Sequence, residues 1–330
     1  MGGRAMKLHG IETERKSTEE HLRIQTEVMP IIQGMFQTEI KTVKYYHNKD
    51  NHGDCDLLVL NDGTLGNVPE RLRERFGVIH SNNGVYSFAY DNYQVDIILQ
   101  DESIWDCCQD FFDYDPTGNL MGKIANFFGL KYGNKGLHYC YRNEGRVSRN
   151  IYISNDSKRN FEFLGYDYDR YLQGFDTVEE IFDWIVAGKY FAVECFRLEN
   201  LNHSDRNRNK KRATFQGFLK YLDDKNIQST FKFEDESTYL KLIQDFFPEG
   251  NLKEKIEEFD ELDRKSQNVY NVFNGNMVME LTGLEGKVLG NAISSYKTYV
   301  SETYKQTFID FTNEYEGNIM ENFKEWYHGL

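Results

Sequence analysis

The sequence predicts an α+β protein, with a small mixed-sheet head and a mostly helical second half. Three observations lead there. Gly53-Asp54-Cys55-Asp56-Leu57-Leu58-Val59-Leu60 opens on a carboxylate pair and closes in a continuous apolar run, with Asn61-Asp62-Gly63 behind it, the pattern of a buried strand. Tyr93-Gln94-Val95-Asp96-Ile97-Ile98-Leu99 is a second such strand with one acid in its middle. From Thr177 onward the periodicity is mostly helical.

Taken in order, residues 1–16 are rich in Gly and charge and show no periodicity. Ser17-Thr18-Glu19-Glu20 is a capping box, so a helix starts there and runs to about Phe36, with Pro30 bending it or ending its regular part. Residues 39–46 read as a first strand and 47–53 as a polar loop leading into the acidic strand. Residues 64–77 form a charged helical stretch, and 85–99 a hairpin that ends on the Asp96 strand. Residues 101–145 read as helices ending in a strand near 137–141, and 151–164 as strand pairs. Residues 251–265 are a polar helix leading to a last helical segment, 267–330. The expected division is a head over 1–100, a middle region over 101–250 that carries a basic segment, and a C-terminal helical region over 251–330.

The 39 Lys+Arg against 53 Asp+Glu give a net charge of −14, which excludes non-specific attraction to nucleic acid as a default. Any such contact must come from a local patch. The five cysteines (Cys55, Cys107, Cys108, Cys140, Cys195) are odd in number and show no C-x-x-C spacing, so neither a disulfide framework nor a zinc ribbon is expected. No apolar run approaches membrane-spanning length and the N-terminus lacks the apolar core of a signal peptide. Met6 stands where a myristoylation site takes Ser or Thr. A cytoplasmic protein without membrane contact is the expectation.

On a strand, residues i and i+2 share a face, so Asp54 and Asp56 project side by side while Cys55 turns away. Charges do not enter a core unpaired, so these acids are solvated or hold cations. A lone D-x-D is common in turns, and a buried acid often pairs with Arg or Lys. The glycine ahead, the strand behind and a third strand-borne acid tilt the reading toward metal. Asp54, Asp56 and Asp96 are a hard, oxygen-only donor set, which suits Mg²⁺ and a two-ion site for in-line phosphoryl displacement. His47 and His52 lack metal-ligand spacing and read as surface histidines. The one concentrated basic stretch carries Arg206, Arg208, Lys210, Lys211 and Arg212, and it precedes or opens the helix of 215–222. It reads as a phosphate contact or as a solvated loop balancing acids. Cations at a helix N-terminus oppose its dipole, which favours the phosphate contact.

Gly53-Asp54-Cys55-Asp56-Leu57-Leu58-Val59 followed by Val95-Asp96-Ile97 resembles the DNA polymerase β-type nucleotidyltransferase superfamily, which includes poly(A) polymerases and CCA-adding enzymes. The resemblance covers about residues 40–100. It implies that Asp54 and Asp56 hold two Mg²⁺ ions with a nucleoside triphosphate, and that Asp96 completes the second metal site and helps activate the acceptor hydroxyl. Members carry Gly-Ser or Gly-Gly about ten residues before the first acid, where backbone N–H groups grip phosphate. Here Tyr45-Tyr46-His47-Asn48 stands in that place and the upstream pair is Gly2-Gly3. The nucleotide-binding candidates are therefore Gly2 and Gly3 folded back, or Lys49 with His47 beside Gly53. The Gly-rich stretch 281–290 loosely resembles a helix start of CCA-adding enzymes, and tight helix packing accounts for it equally. The implied reaction moves a nucleoside monophosphate to an acceptor hydroxyl, favouring an RNA 3′ end on the basic segment. Nucleotidylation of a protein or small molecule is one alternative. A catalytically silent module that binds nucleic acid is the other.

Overall fold

The two acidic strands are buried and lie side by side. The computed structural model describes residues 5–329 and is a mixed α+β fold. Gly2 and Gly3 lie outside the described residues. The chain forms two units, one of residues up to Arg142 with Val147–Gly250, the other of Asn143–Arg146 with the residues from Asn251.

The first unit begins with β1 (Lys16–Ser17) and α1 (Thr18–Phe36). The capping box forms as the sequence predicts, with the Ser17 hydroxyl accepting from the Glu20 N–H. Pro30 lies inside α1 on an exposed face, and the helix continues through it with one backbone hydrogen bond fewer. There follow β2 (Ile40–Thr42), β3 (Asn51–His52), β4 (Asp54–Asn61), α2 (Val68–Phe76), β5 (His80–Asn82), β6 (Val85–Tyr90) and β7 (Tyr93–Asp101). Five of these strands make one sheet in the order β2-β4-β7-β6-β5, while β1 pairs with β3. Only β4 and β7 run parallel, and Asp56 stands directly opposite Asp96.

Packing fixes that register. Cys55, Leu57, Val59, Val95 and Ile97 turn to one face and pack against Ile24, Val28, Ile32 and Phe36 of α1. Leu58 and Ile98 turn to the other and pack with Trp105 and Cys108. A slip of one residue would drive the three acids into the α1 core and expose its apolar partners.

The strand expected over 39–46 is only three residues long, because the following backbone is bonded to partners outside the sheet. The Lys44 N–H donates to the Asp113 carboxylate at 2.7 Å, and the His47 and Asn48 N–H groups donate to the carbonyls of Phe175 and Asp176.

The rest of the unit carries α3 (Trp105–Phe112), α4 (Thr117–Phe127) and a three-stranded sheet in the order β10-β9-β8, from β8 (Leu130–Gly133), β9 (Gly136–Asn143) and β10 (Arg146–Ser154). Helices α5 (Ser157–Phe163), α6 (Tyr168–Leu172), α7 (Val178–Val186), α8 (His203–Asn209), α9 (Ala213–Asp224) and α10 (Leu240–Phe246) complete it. Of the strand pairs expected over 151–164, only 151–154 form, as the end of β10. Asp156 caps α5 by accepting from the Arg159 N–H, and that local bond ends the strand pattern.

The second unit consists of α11 (Leu252–Val272), α12 (Gly275–Thr282), α13 (Gly286–Tyr304), α14 (Phe308–Glu314) and α15 (Ile319–His328) around Phe273, Tyr296, Phe308, Phe311 and Phe323. Its glycine-rich stretch is the α12–α13 turn, where Gly283 and Gly286 adopt φ of +69° and +55°. All five cysteines are free. Among the described residues no helix is long and apolar enough to cross a membrane.

Candidate active site

The side chains of Asp54, Asp56 and Asp96 converge, each offering an oxygen within 4.8 Å of the others. Burial, then the charges of Asp54 and Asp96, push the Asp56 carboxyl well above its ordinary range. Asp96 is pushed up to about 7, by burial first and Asp54 second, while hydrogen bonds from Ser87 and Gln94 pull against the shift. Three half-buried carboxylates this close repel one another when ionised, and a hard divalent cation relieves that repulsion. The donor set fits Mg²⁺.

A cleft of about 400 Å³ opens on Asp54 and Asp56. His21, Tyr45, Lys49, His52, Asp115, Arg208 and Arg212 are among the residues lining it. Lys49 is carried there by the pinned loop after β2, where the Thr18 hydroxyl donates to the Lys49 carbonyl. Burial lowers the Lys49 pKa, and Asp115, Asp54 and Asp56 act against that. Gly53 lies at the bend between β3 and β4, between the cleft residues His52 and Asp54.

His52 is not the surface residue that its polar loop suggested. It is 3% exposed and stacks on His21, 4% exposed, with ring centroids 4.0 Å apart. Burial pushes His21 down to about 4 and His52 down to about 3, with Lys49 adding to both. The Tyr93 hydroxyl donates to the Asp54 carbonyl at 2.6 Å, so it accepts from His21 Nδ1–H at 2.9 Å. The Thr18 hydroxyl likewise accepts from His52 Nε2–H at 3.1 Å. Both rings are neutral, and each keeps one nitrogen as an acceptor. His47 is exposed, with its Nδ1 2.5 Å from an Asp176 oxygen.

The basic segment divides. Arg208, on α8, and Arg212, the N-cap residue of α9, line the cleft, whereas Arg206, Lys210 and Lys211 do not. Two bonds to α4 hold this turn in place: Lys123 Nζ to Asp205 at 2.5 Å and Asn119 Nδ2 to Asn209 Oδ1 at 3.1 Å. Arg206 and Arg208 fall in the last turn of α8, where cations favour the helix dipole, so the dipole argument drawn from the sequence does not hold for them. The Arg206 guanidinium is consumed by the carbonyls of Leu198, Glu199 and Leu201. Arg206→Ala is therefore expected to lower stability by about 1–2 kcal/mol in chemical denaturation. Arg206→Lys should recover little, because an ammonium cannot span three carbonyls. An unchanged denaturation midpoint in Arg206→Ala would count against this structural role.

Sequence reading missed His21, Tyr45, Asp115, Phe111, Phe112, Gly118 and Asn119, all of which line the cleft. Only the Phe111-Phe112 pair and Thr117-Gly118-Asn119 opening a helix left a local signal. Gly118 lets α4 approach α3, since a Cβ there would collide with the Phe111 carbonyl. A wider cavity of about 1050 Å³ shares Phe111, Phe112, Gly118, Asn119 and Arg208 with the first. Gln94 was also missed, although it shares the face of Asp96 by the same two-residue period that pairs Asp54 with Asp56.

No family model matches the chain, and no curated protein matches it. Among solved structures it is similar to Leishmania infantum polymerase β in a ternary P/T complex, at 15% identity and a TM-score of 0.38, covering 49% of this chain and 77% of that one. The ternary gap complex of the same polymerase is similar at 15% identity and a TM-score of 0.37, covering 47% of this chain and 69% of that one. Similarity of this degree defines neither fold nor activity.

Proposed function

We propose that the protein is a polymerase β-type nucleotidyltransferase that moves a nucleoside monophosphate from a triphosphate to an acceptor hydroxyl, with an RNA 3′ end as the favoured acceptor. The observation that carries this reading is the convergence of Asp54, Asp56 and Asp96 on adjacent parallel strands beside a cleft that also holds Lys49, Arg208 and Arg212. Asp54, Asp56 and Asp96 would hold two Mg²⁺ ions, which supply charge neutralisation for the pyrophosphate and acidify the acceptor hydroxyl. Asp96 takes the hydroxyl proton as the new O–P bond forms and the bond to the β-phosphate breaks. Lys49, in the cleft, would face the triphosphate, with Gly53 at the bend before β4 a further nucleotide-binding candidate. Gly2 and Gly3 remain nucleotide-binding candidates by resemblance. Phe111 and Phe112 offer ring surface for a base, and Arg208 and Arg212 pair with phosphate. The two neutral imidazoles accept hydrogen bonds and do not attract phosphate, which leaves that role to the cations.

A second reading rests on the wider cavity. Its Lys123, Lys131, Arg142 and Arg208 are matched by Asp205, Glu234, Asp235 and Glu236, and Asn126, Asn134, Asn150, Asn200 and Asn202 also line it. Balanced charge and amides suit a small acceptor or a strand end held by hydrogen bonds, rather than a long phosphate track. Incubation with each ribo- and deoxynucleoside triphosphate, Mg²⁺, and RNA, DNA or protein acceptors separates these readings. Pyrophosphate release with a product one nucleotide longer is the expected result for RNA. Binding of nucleic acid without any pyrophosphate release would leave a silent binding module.

A further inference from the structure

Gln94 is 3% exposed, two residues before Asp96 on β7 and opposite Asp54 in the parallel register. Its amide nitrogen donates to both oxygens of Asp96, at 2.9 and 3.0 Å. Its amide oxygen accepts from the backbone N–H of Ala5 at 2.9 Å. The Ala5 N–H fixes this orientation: it can only donate and so takes the amide oxygen, which leaves the amide nitrogen to face Asp96. One buried side chain thus joins the third acid to the segment 5–17.

That segment is fastened at further points. Met6 is fully buried, the Glu14 N–H donates to the Asn92 carbonyl at 2.9 Å, and Lys16 and Ser17 pair with His52 and Asn51. It therefore rests on both acidic strands, beside Asp96 through Gln94 and just ahead of Asp54 through His52.

We propose that residues 5–17 are a positioning strap for the metal site, acting through Gln94. Docking of Ala5 orients the Gln94 amide, and the amide holds the Asp96 carboxyl group turned toward Asp54 and Asp56. The proposal rests on the reading of those three acids as a divalent-metal site. Residues that orient a metal ligand change metal affinity by about 10–100-fold when removed. Coupling between strap and metal is reciprocal, so bound cation must also steady the strap.

The test is Mn²⁺ binding to the full chain without nucleotide, followed by calorimetry, with hydrogen exchange over residues 5–17 measured in parallel. Wild type is expected to bind Mn²⁺ and Asp54→Ala is expected not to. If wild type fails to bind, or Asp54→Ala binds equally well, the metal reading itself fails and takes the strap with it. Gln94→Leu is expected to weaken binding by about 10–100-fold. Ala5 has φ −63°, which proline adopts, so Ala5→Pro removes the N–H without forcing that residue's own backbone. It should weaken Mn²⁺ binding severalfold, and should carry the test if Gln94→Leu fails to fold. Mn²⁺ should slow exchange in the strap of wild type and not in Gln94→Leu. Binding that requires Asp54 yet is equal in wild type, Gln94→Leu and Ala5→Pro overturns the proposal and leaves the metal reading standing. Weakening in Gln94→Leu alone, with no effect of Ala5→Pro and no change in exchange, also overturns the strap.

Discussion

Asp54→Ala and Asp56→Ala are each expected to lower Mg²⁺-dependent transfer by about 10³-fold or more, because the site loses several kcal/mol of charge stabilisation at the transferring phosphate. Neither variant should unfold. Asp56 is held well above its ordinary pKa by burial and by its acidic neighbours, so the metal-free site opposes folding when its acids are ionised. The sign follows for Asp96, raised from 3.8 to about 7. Across that interval the folded chain holds a proton that the unfolded chain has released, so this group's contribution falls as pH rises through it. Asp96→Asn should therefore stabilise the metal-free protein at pH 8 and do so less at pH 5. Mg²⁺ should raise the melting temperature of wild type at pH 8 and leave that of Asp96→Asn nearly unmoved. Full activity in Asp54→Ala and Asp56→Ala, or outright unfolding of both, would sink the metal-site assignment.

Arg208→Glu with Arg212→Glu should give the second large effect, since the pair contributes two of the cations that line the acidic cleft. Arg206 is left untouched because its charge is spent on backbone carbonyls. If the pair touches acceptor phosphates, RNA binding weakens and its salt dependence flattens by a slope of about 0.7 for each single-strand phosphate no longer neutralised. Transfer to a small acceptor is then spared. If the pair grips the triphosphate instead, every acceptor suffers alike and the Michaelis constant for nucleotide rises. Binding isotherms at two salt concentrations read the difference. Identical affinities and slopes in wild type and variant would remove the polynucleotide from this part of the cleft.

Several features were legible because they are local. The capping box at Ser17 and Glu20 needs only four residues, and it forms. The strands Asp54–Asn61 and Tyr93–Asp101 follow from apolar runs with turn residues at their ends. The common face of Asp54 and Asp56 follows from the two-residue period of a strand. Local signals also misled. Ile151 and Ile153 are buried as a strand pattern requires, but Asp156 caps a helix immediately afterwards and ends it.

By itself the sequence determined the α+β class, the two acidic strands and the acids' shared face, since burial and backbone periodicity act between near neighbours. Only the tertiary structure decided how distant residues meet. It set Asp56 directly opposite Asp96, a pairing chosen by the apolar faces on either side of the sheet. It buried His52 against His21 and brought Arg208 and Arg212 to the cleft while spending Arg206 on carbonyls. It also joined Ala5 to Asp96 through Gln94. In a linear sequence a buried amide and a solvated one look the same, because the cost that separates them, an unmet hydrogen bond away from water, exists only once the chain has closed around it.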